Sequence, residues 1–280
     1  MFGPFTYRHY DIDTMTQRNF KKMHALGNDF IVIDGRRRPF APTTAQAQFL
    51  ADRRRGVGCD QIIVLEPATR GDLFMRIFNA DGSQAEACGN ASRCVASLVY
   101  EEGVATPRLE TLAGVLTCQR VDGQFQVDMG PIEIIDKARP VAAGPSPAVI
   151  LTIGNPHCVF LTDQVDLVDD VGPKVEVDPQ FPQRTNVQFV QVLSRNAIRQ
   201  RVWERGAGLT AASGSGACAG AVAAMSVGGC DRQLTVHMDG GDIEITWQEG
   251  DGHVLMRGPH SLAFEGVFEE KALEEAFTLP

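Results

Sequence analysis

Cys88-Gly89-Asn90-Ala91-Ser92-Arg93-Cys94 and Ser213-Gly214-Ser215-Gly216-Ala217-Cys218 are two readings of one pattern, with the leading side chain changed from sulfur to oxygen. Asn79 stands nine residues before Cys88, and Glu204 nine before Ser213. Gly27-Asn28 precedes Cys88 by 61 residues and Gly154-Asn155 precedes Ser213 by 59. The same landmarks recur in one order at nearly one spacing. That predicts two halves of similar fold facing each other across a cleft, each presenting one small nucleophile or base at a helix start.

The segments around these landmarks support helix starts. Ala91, Cys94, Val95, Leu98 and Val99 form an apolar stripe at helical spacing that begins after Gly89-Asn90 and ends near Gly103. Ala217, Cys218, Ala221, Val222 and Met225 form the matching stripe, ending at Gly228-Gly229. Thr44 to Arg54 has helical spacing too. Most other segments are short, rich in Val, Ile and Phe, and often alternate apolar with polar residues, the period of half-buried strands. They include Phe30 to Asp34, Gln61 to Leu65, Leu73 to Phe78, Gly114 to Arg120, Gln124 to Met129, Val149 to Ile153, Val187 to Leu193 and Gln233 to His237. Asp122-Gly123 predicts a hairpin turn between two of them. Ile132 to Ser146, with Pro140, Gly144 and Pro145, reads as the linker between halves.

Bulk properties narrow the function classes. A chain of 280 residues accommodates two domains, and 44% hydrophobic with 22% charged residues is ordinary for a globular protein. A net charge of −9 argues against nucleic acid or anionic membrane as the main partner. The basic runs Arg36 to Arg38 and Arg53 to Arg55 read as solvated loops. No apolar run is long enough for a membrane span, and Met1 to Tyr10 lacks the apolar core of a signal peptide. Seven cysteines, an odd number without C-x-x-C pairs, point to reduced thiols and a cytoplasmic protein. The six histidines have no ligand spacing, so no metal is expected. Gly56-Val57-Gly58 lacks dinucleotide-binding spacing, and the lysines lie outside every landmark, so no cofactor is expected either. Residues 1–18 read as an extension, with Met15 a candidate start of the functional chain.

Exposed N–H groups and the dipole at a helix N-terminus favour an anion, so Cys88 is expected to ionise below the usual thiol range. The same N–H groups can hold a carboxylate. A single helix-start cysteine is most often simply packed. Two opposed starts can remove an acidic hydrogen on one face and return it on the other, which is two-base racemisation or epimerisation.

The chain resembles the diaminopimelate epimerase family from Phe20 to its end. The resemblance is carried by His24-Ala25-Leu26-Gly27-Asn28-Asp29-Phe30, Gly56-Val57-Gly58-Cys59-Asp60-Gln61, Phe78-Asn79-Ala80-Asp81-Gly82-Ser83 running to Cys88-Gly89-Asn90, Gly154-Asn155-Pro156-His157, Arg184-Thr185-Asn186-Val187, and Glu204-Arg205-Gly206-Ala207-Gly208 running to Gly214-Ser215-Gly216. It implies an α/β (α+β) fold of two pseudo-symmetric domains, strands wrapped around a central helix in each, with the active site between them. The halves would be 19–132, with a returning segment of about 267–280, and 133–266. It implies interconversion of LL- and meso-diaminopimelate for lysine and peptidoglycan precursors, without pyridoxal phosphate, by a homodimer. Cys88 and Ser213 would be the catalytic pair. Gly89-Asn90 and Gly214-Ser215 would hold the reacting carboxylate. Asn28, Gln61, Asn79, Asn155, Asn186, Glu204 and Arg205 would bind the two amino-acid ends. His157 and Glu204 would tune the bases; by itself His157 would read as a structural histidine.

Three positions depart from the family pattern. Ala91 and Leu209 stand where glycine and glutamate are common, and Ser213 stands where the family has its second cysteine. A hydroxyl is far less acidic than a thiol. Ser213 is therefore an engineered substitution, a natural one-base variant, or the mark of an inactive homologue that only binds. Two further functions compete with an impaired epimerase: a one-base dehydratase of hydroxyproline-type amino acids, and a non-catalytic amino-acid-binding protein.

Overall fold

A computed structural model describes residues 16–275; the expected extension lies outside the described residues up to position 15, as do residues 276–280. The first ladder runs β1 (Gln17–Ala25), β2 (Asn28–Asp34), β3 (Gln61–Glu66), β4 (Leu73–Asn79), the short β5 (Gln84–Ala85), β6 (Arg108–Thr111), β7 (Gly114–Val121) and β8 (Gln124–Pro131). The second runs β9 (Glu133–Arg139), β10 (Ala148–Thr152), β11 (Pro156–Leu161), β12 (Asn186–Ser194), β13 (Ala197–Glu204), β14 (Gly208–Thr210), β15 (Gln233–Met238), β16 (Gly241–Trp247) and β17 (His253–Gly258), and the chain then continues into β18 (Ser261–Glu269). The helices are α1 (Thr44–Ala51), α2 (Gly89–Glu101), α3 (Val168–Glu176), α4 (Gly214–Val227) and α5 (Glu270–Glu275).

The ladders repeat pair for pair. β1 and β2 are antiparallel, as are β10 and β11. β2 and β3 are parallel, with Phe30 opposite Gln61; β11 and β12 are parallel, with His157 opposite Asn186. The next strand is antiparallel in each half and then pairs in parallel with the strand after the central helix. Each ladder closes on an antiparallel hairpin. In the first, Asp122 and Gly123 take φ of 50° and 80°, the left-handed turn expected of Asp-Gly. The two ladders meet where β8 pairs with β17, Val127 opposite Met256. Each then sends its exit strand across: β9 pairs with β10, and β18 returns to pair with β1. Strands alternate with few helices, and the result is two pseudo-symmetric α/β domains.

The crossovers explain one misreading. Ile132 to Ser146, read as a linker, contains β9; its Pro and Gly fall after the strand, which pairs with β10 through Glu133 opposite Thr152. α3 was hidden by Gly172-Pro173 inside it. Glycine is required there, because a Cβ at 172 would stand 2.6 Å from the Trp203 Cβ.

One apolar cluster runs through both halves. It joins Ala91, Cys94, Val95 and Val99 of α2 to Ala217, Ala221 and Val222 of α4, with Val127 and Met256 at the junction. Both central helices are buried on nearly every side, so their polar side chains bond inward: Ser92 donates to Cys88 O at 2.8 Å and Ser97 to Cys94 O at 2.7 Å. Smaller clusters beneath α1 and α3 cover the outer faces of the parallel pairs. This packing sets the N-termini of α2 and α4 against each other at the seam.

Candidate active site between two helix N-termini

Cys88 and Ser213 are the N-cap residues of α2 and α4, with matching extended backbones (φ −148°, ψ 109° and φ −130°, ψ 122°). Cys88 Sγ accepts from Ala91 N–H at 3.5 Å, and Ser213 Oγ from Gly216 N–H at 3.2 Å. An N-cap side chain that satisfies an orphan N–H is held in one rotamer, so the sequence duplication becomes a geometric one. The helix starts adjoin: a Cβ at Gly214 would lie 3.1 Å from Met256 Sδ and 3.5 Å from Asn90 Oδ1, and one at Gly89 would collide with the Met256 methyl at 2.6 Å.

The flanking amides repeat as well. Gly27 and Gly154, with φ of 84° and 85°, turn the chain so that Asn28 and Asn155 reach the helix starts. Asn28 Oδ1 accepts from Asn90 Nδ2 at 3.2 Å; Asn155 Nδ2 donates to Ser215 Oγ at 3.3 Å. Asn28 Oδ1 is also 3.9 Å from Cys88 Sγ. Asn28 Nδ2 donates to Asp60 Oδ2 at 2.9 Å, so Asp60, inside a quoted motif but without a role there, orients it.

The second half carries the acid. Glu204, at the end of β13, accepts from Ser213 Oγ at 2.7 Å and from Thr210 Oγ1 at 2.6 Å. Burial raises the Glu204 carboxyl above the usual range, opposed by those two hydroxyl donors. Asn79, its counterpart in the first half, instead accepts from Gln61 Nε2 at 2.9 Å and donates to Ser83 Oγ at 3.0 Å. Asn186 donates to Pro156 O at 2.9 Å and accepts the Arg205 backbone N–H at 3.0 Å. The Arg205 guanidinium lies at the exposed rim, on Gln183 O at 3.3 Å.

His157 is fully buried and touches neither base. Gln188 Nε2 lies 2.9 Å from its Nδ1, and Asn155 Oδ1 lies 2.9 Å from its Nε2. With the glutamine amide donating, Nε2 carries the proton and donates to Asn155. Burial drives the imidazole down to about 3, so it is neutral. It reaches the α4 start through Asn155, which bonds Ser215, and through Gln188, whose Nε2 would lie 3.3 Å from a Cβ at Gly216. Gln188 was not expected from sequence; a polar residue inside an apolar strand was the available signal.

One expectation is reversed. The thiol of Cys88 is pushed up to about 11, not down. Burial between the two halves is the main cause, and the Glu204 carboxylate adds to it; the Ala91 and Asn90 N–H groups act in the lowering direction but do not prevail. A helix start open to water lowers such a thiol, whereas this helix start is covered by the opposite half.

A family model for diaminopimelate epimerase matches residues 20–135 and 149–263. A diaminopimelate epimerase from Rhodospirillum centenum is 50% identical over 274 residues, covering 91% of this chain and 94% of that protein. One from Sphingopyxis alaskensis is 46% identical over 261 residues, covering 88% and 96%. Among solved structures, a phenazine biosynthesis protein of the PhzF family from Bacillus anthracis aligns with a TM-score of 0.67 at 17% identity, over 91% of this chain and 99% of that one. A probable proline racemase from Agrobacterium radiobacter aligns with the same score and identity, over 89% and 92%. The distant structures share the fold, while the close relatives and the family model cover both halves, and the chain belongs to the diaminopimelate epimerase family.

Proposed function

We propose that this chain binds LL- and meso-diaminopimelate and acts on the α-hydrogen by proton transfer alone, with Ser213 limiting it to one effective base. The observation that carries this reading is the pair of matched N-caps, a thiol on α2 and a hydroxyl on α4, with Glu204 bonded to the hydroxyl. The α-carboxylate lies against the N–H groups of Gly89-Asn90 and Gly214-Ser215, where helix dipoles favour an anion. Asn28, Asn79, Asn155, Asn186, Gln61 and Glu204 receive the ammonium and carboxylate ends; Gln61 Oε1 is buried without a partner among the described residues, an acceptor suited to an N–H donor. Arg205, at the rim, takes the far carboxylate. His157 holds Asn155.

Cys88 loses its proton to solvent water, and the thiolate takes the α-hydrogen, leaving a carbanion and a re-formed thiol. Epimerisation then needs a proton from the opposite face. Ser213 Oγ–H is directed at Glu204 Oε2, and after donation it would be an alkoxide, a high-energy species at neutral pH. The re-formed Cys88 thiol exchanges its hydrogen with solvent and returns one to the same face of the carbanion, so the α-hydrogen is replaced with retention. With cysteine at 213 the same arrangement is an epimerase for lysine and peptidoglycan precursors.

The two domains are taken as 19–132 with a C-terminal return of about 267–280, and 133–266; the pairing of β18 on β1 supports a return to the first half. A homodimer in the cytoplasm completes the reading. β18 supports the dimer: Leu262, Phe264 and Val267 are exposed on the strand that pairs with β1. No described helix is long and apolar enough to cross a membrane.

The test is isotopic. LL-diaminopimelate recovered after incubation in deuterated water gains one mass unit at an α-carbon while keeping its configuration, and Cys88→Ala abolishes the gain. Binding without any exchange would leave a binding protein in place of an enzyme.

A further inference from the structure

Arg93 lies on α2 one turn beyond Cys88 and is completely buried. Its guanidinium donates to Asn90 Oδ1 at 3.0 Å, to Pro259 O at 3.3 Å and to Met256 Sδ at 3.5 Å. None of the ion pairs among the described residues includes it, so a cation has been placed inside the fold without a carboxylate. Burying an uncompensated charge is costly, and such a charge is tolerated where a counter-charge arrives. The repeat sharpens the point: Arg93 is five residues past Cys88, and the residue five past Ser213 is Cys218. The cation belongs to one half only.

Its contacts lead to the thiol. Because Asn90 gives its oxygen to Arg93, its Nδ2 is turned to Asn28 Oδ1, the same oxygen that faces Cys88 Sγ; Asn28 in turn gives its Nδ2 to Asp60. One polar chain runs from a buried cation to Asp60, with Cys88 on its middle link. The titratable groups that face Arg93 are Cys88 and Cys94 on α2, Cys218 on α4, and His260 after β17; Glu204 faces Cys88 from β13. Cys94 and Cys218 are buried and pushed up to about 12, whereas Cys88 alone among the described cysteines is partly exposed.

We propose that Arg93 is a positioning residue of this site: it fixes the Asn90 amide, and from inside the fold it supplies the positive charge that balances Cys88 when that thiol becomes an anion. With Glu204 on the other side, the charges are ordered so that residue 88 is the base and residue 213 the protonated partner. The inference rests on Cys88 being the proton-abstracting group, but its test does not use substrate.

The experiment is the pH profile of Cys88 alkylation by iodoacetamide, read by peptide mass spectrometry on the full chain between pH 6 and 10. Arg93→Met, which keeps bulk and removes charge, slows alkylation at pH 8 by about tenfold or more, the size expected for losing a nearby opposite charge. Arg93→Lys keeps the charge and stays within about threefold. A folded Arg93→Met variant, judged by near-ultraviolet circular dichroism, whose profile coincides with the unmodified chain overturns the proposal. If neither Arg93 variant folds, the unmodified chain is compared with Cys88→Ser: an Arg93 Nε resonance whose movement between pH 8 and 11 differs between the two upholds the coupling, and identical movement overturns it. Loss of the alkylation shift alongside intact deuterium exchange removes this inference alone; the shift without exchange upholds it and removes the functional reading.

Discussion

Ser213 donates its hydroxyl hydrogen to Glu204 Oε2 at 2.7 Å, so the group in the second base's place is already committed to an acid. A thiol there would keep the N-cap bond from Gly216 and sit beside the same carboxylate. Ser213→Cys is expected to raise LL-to-meso conversion by about 10²–10⁴-fold, the usual worth of a positioned acid–base group. The two isomers are separated by chiral chromatography after derivatisation. Equal conversion by both chains would remove residue 213 from the mechanism.

Glu204 and Arg93 act on Cys88 with opposite sign. The carboxylate adds to burial in raising the thiol. Glu204→Gln removes that charge and leaves an acceptor for Ser213 or Thr210. Alkylation of Cys88 at pH 8 should speed up, by about two- to fivefold, where Arg93→Met slows it. An unchanged or slower rate would mean that the acid is screened from the thiol.

Gly214 is where the two helix starts come closest. A methyl group there enters the space bounded by Met256 Sδ at 3.1 Å and Asn90 Oδ1 at 3.5 Å. Alanine is otherwise the better helix former by roughly 0.5–1 kcal/mol, so the melting temperature should move little. The Kd for LL-diaminopimelate, measured by calorimetry, should rise about tenfold or more because the carboxylate cradle is filled. Unaltered affinity would place the carboxylate elsewhere.

The fold was legible where periodicity and duplication agree. Leu73 to Phe78 alternates and is β4; the stripes after Cys88 and Ser213 are α2 and α4. It was illegible where a breaker sits inside or beside an element, as with Gly172-Pro173 in α3 and Pro140 after β9. The recurrence of Gly-Pro at Gly130-Pro131 and Gly258-Pro259, each just before an exit strand, would have located both crossovers. Within the site, motif residues were readable because they are local. Arg93 stood in a quoted motif, yet its isolation from any carboxylate is a property of both halves packed together. The direction of the Cys88 shift failed for the same reason, since the surface that buries it lies far away in sequence.

His157 gives the acid limb of stability a specific cause. Folded, it is held near 3 by burial; unfolded, it returns to about 6.5. Below 6.5 the unfolded chain binds a proton that the folded chain refuses. The stabilisation is therefore complete above pH 6.5 and declines as pH falls toward 3, at most about 1.4 kcal/mol for each pH unit. From pH 6.5 to 4.5 this amounts to roughly 2–3 kcal/mol. His157→Gln is neutral throughout and can still donate to Asn155. It should be less stable than the unmodified chain at pH 8, yet lose less on acidification, so the two urea-midpoint curves converge. Parallel curves would mean that His157 accepts its proton inside the fold, and the Asn155 contact would then be made by a charged ring.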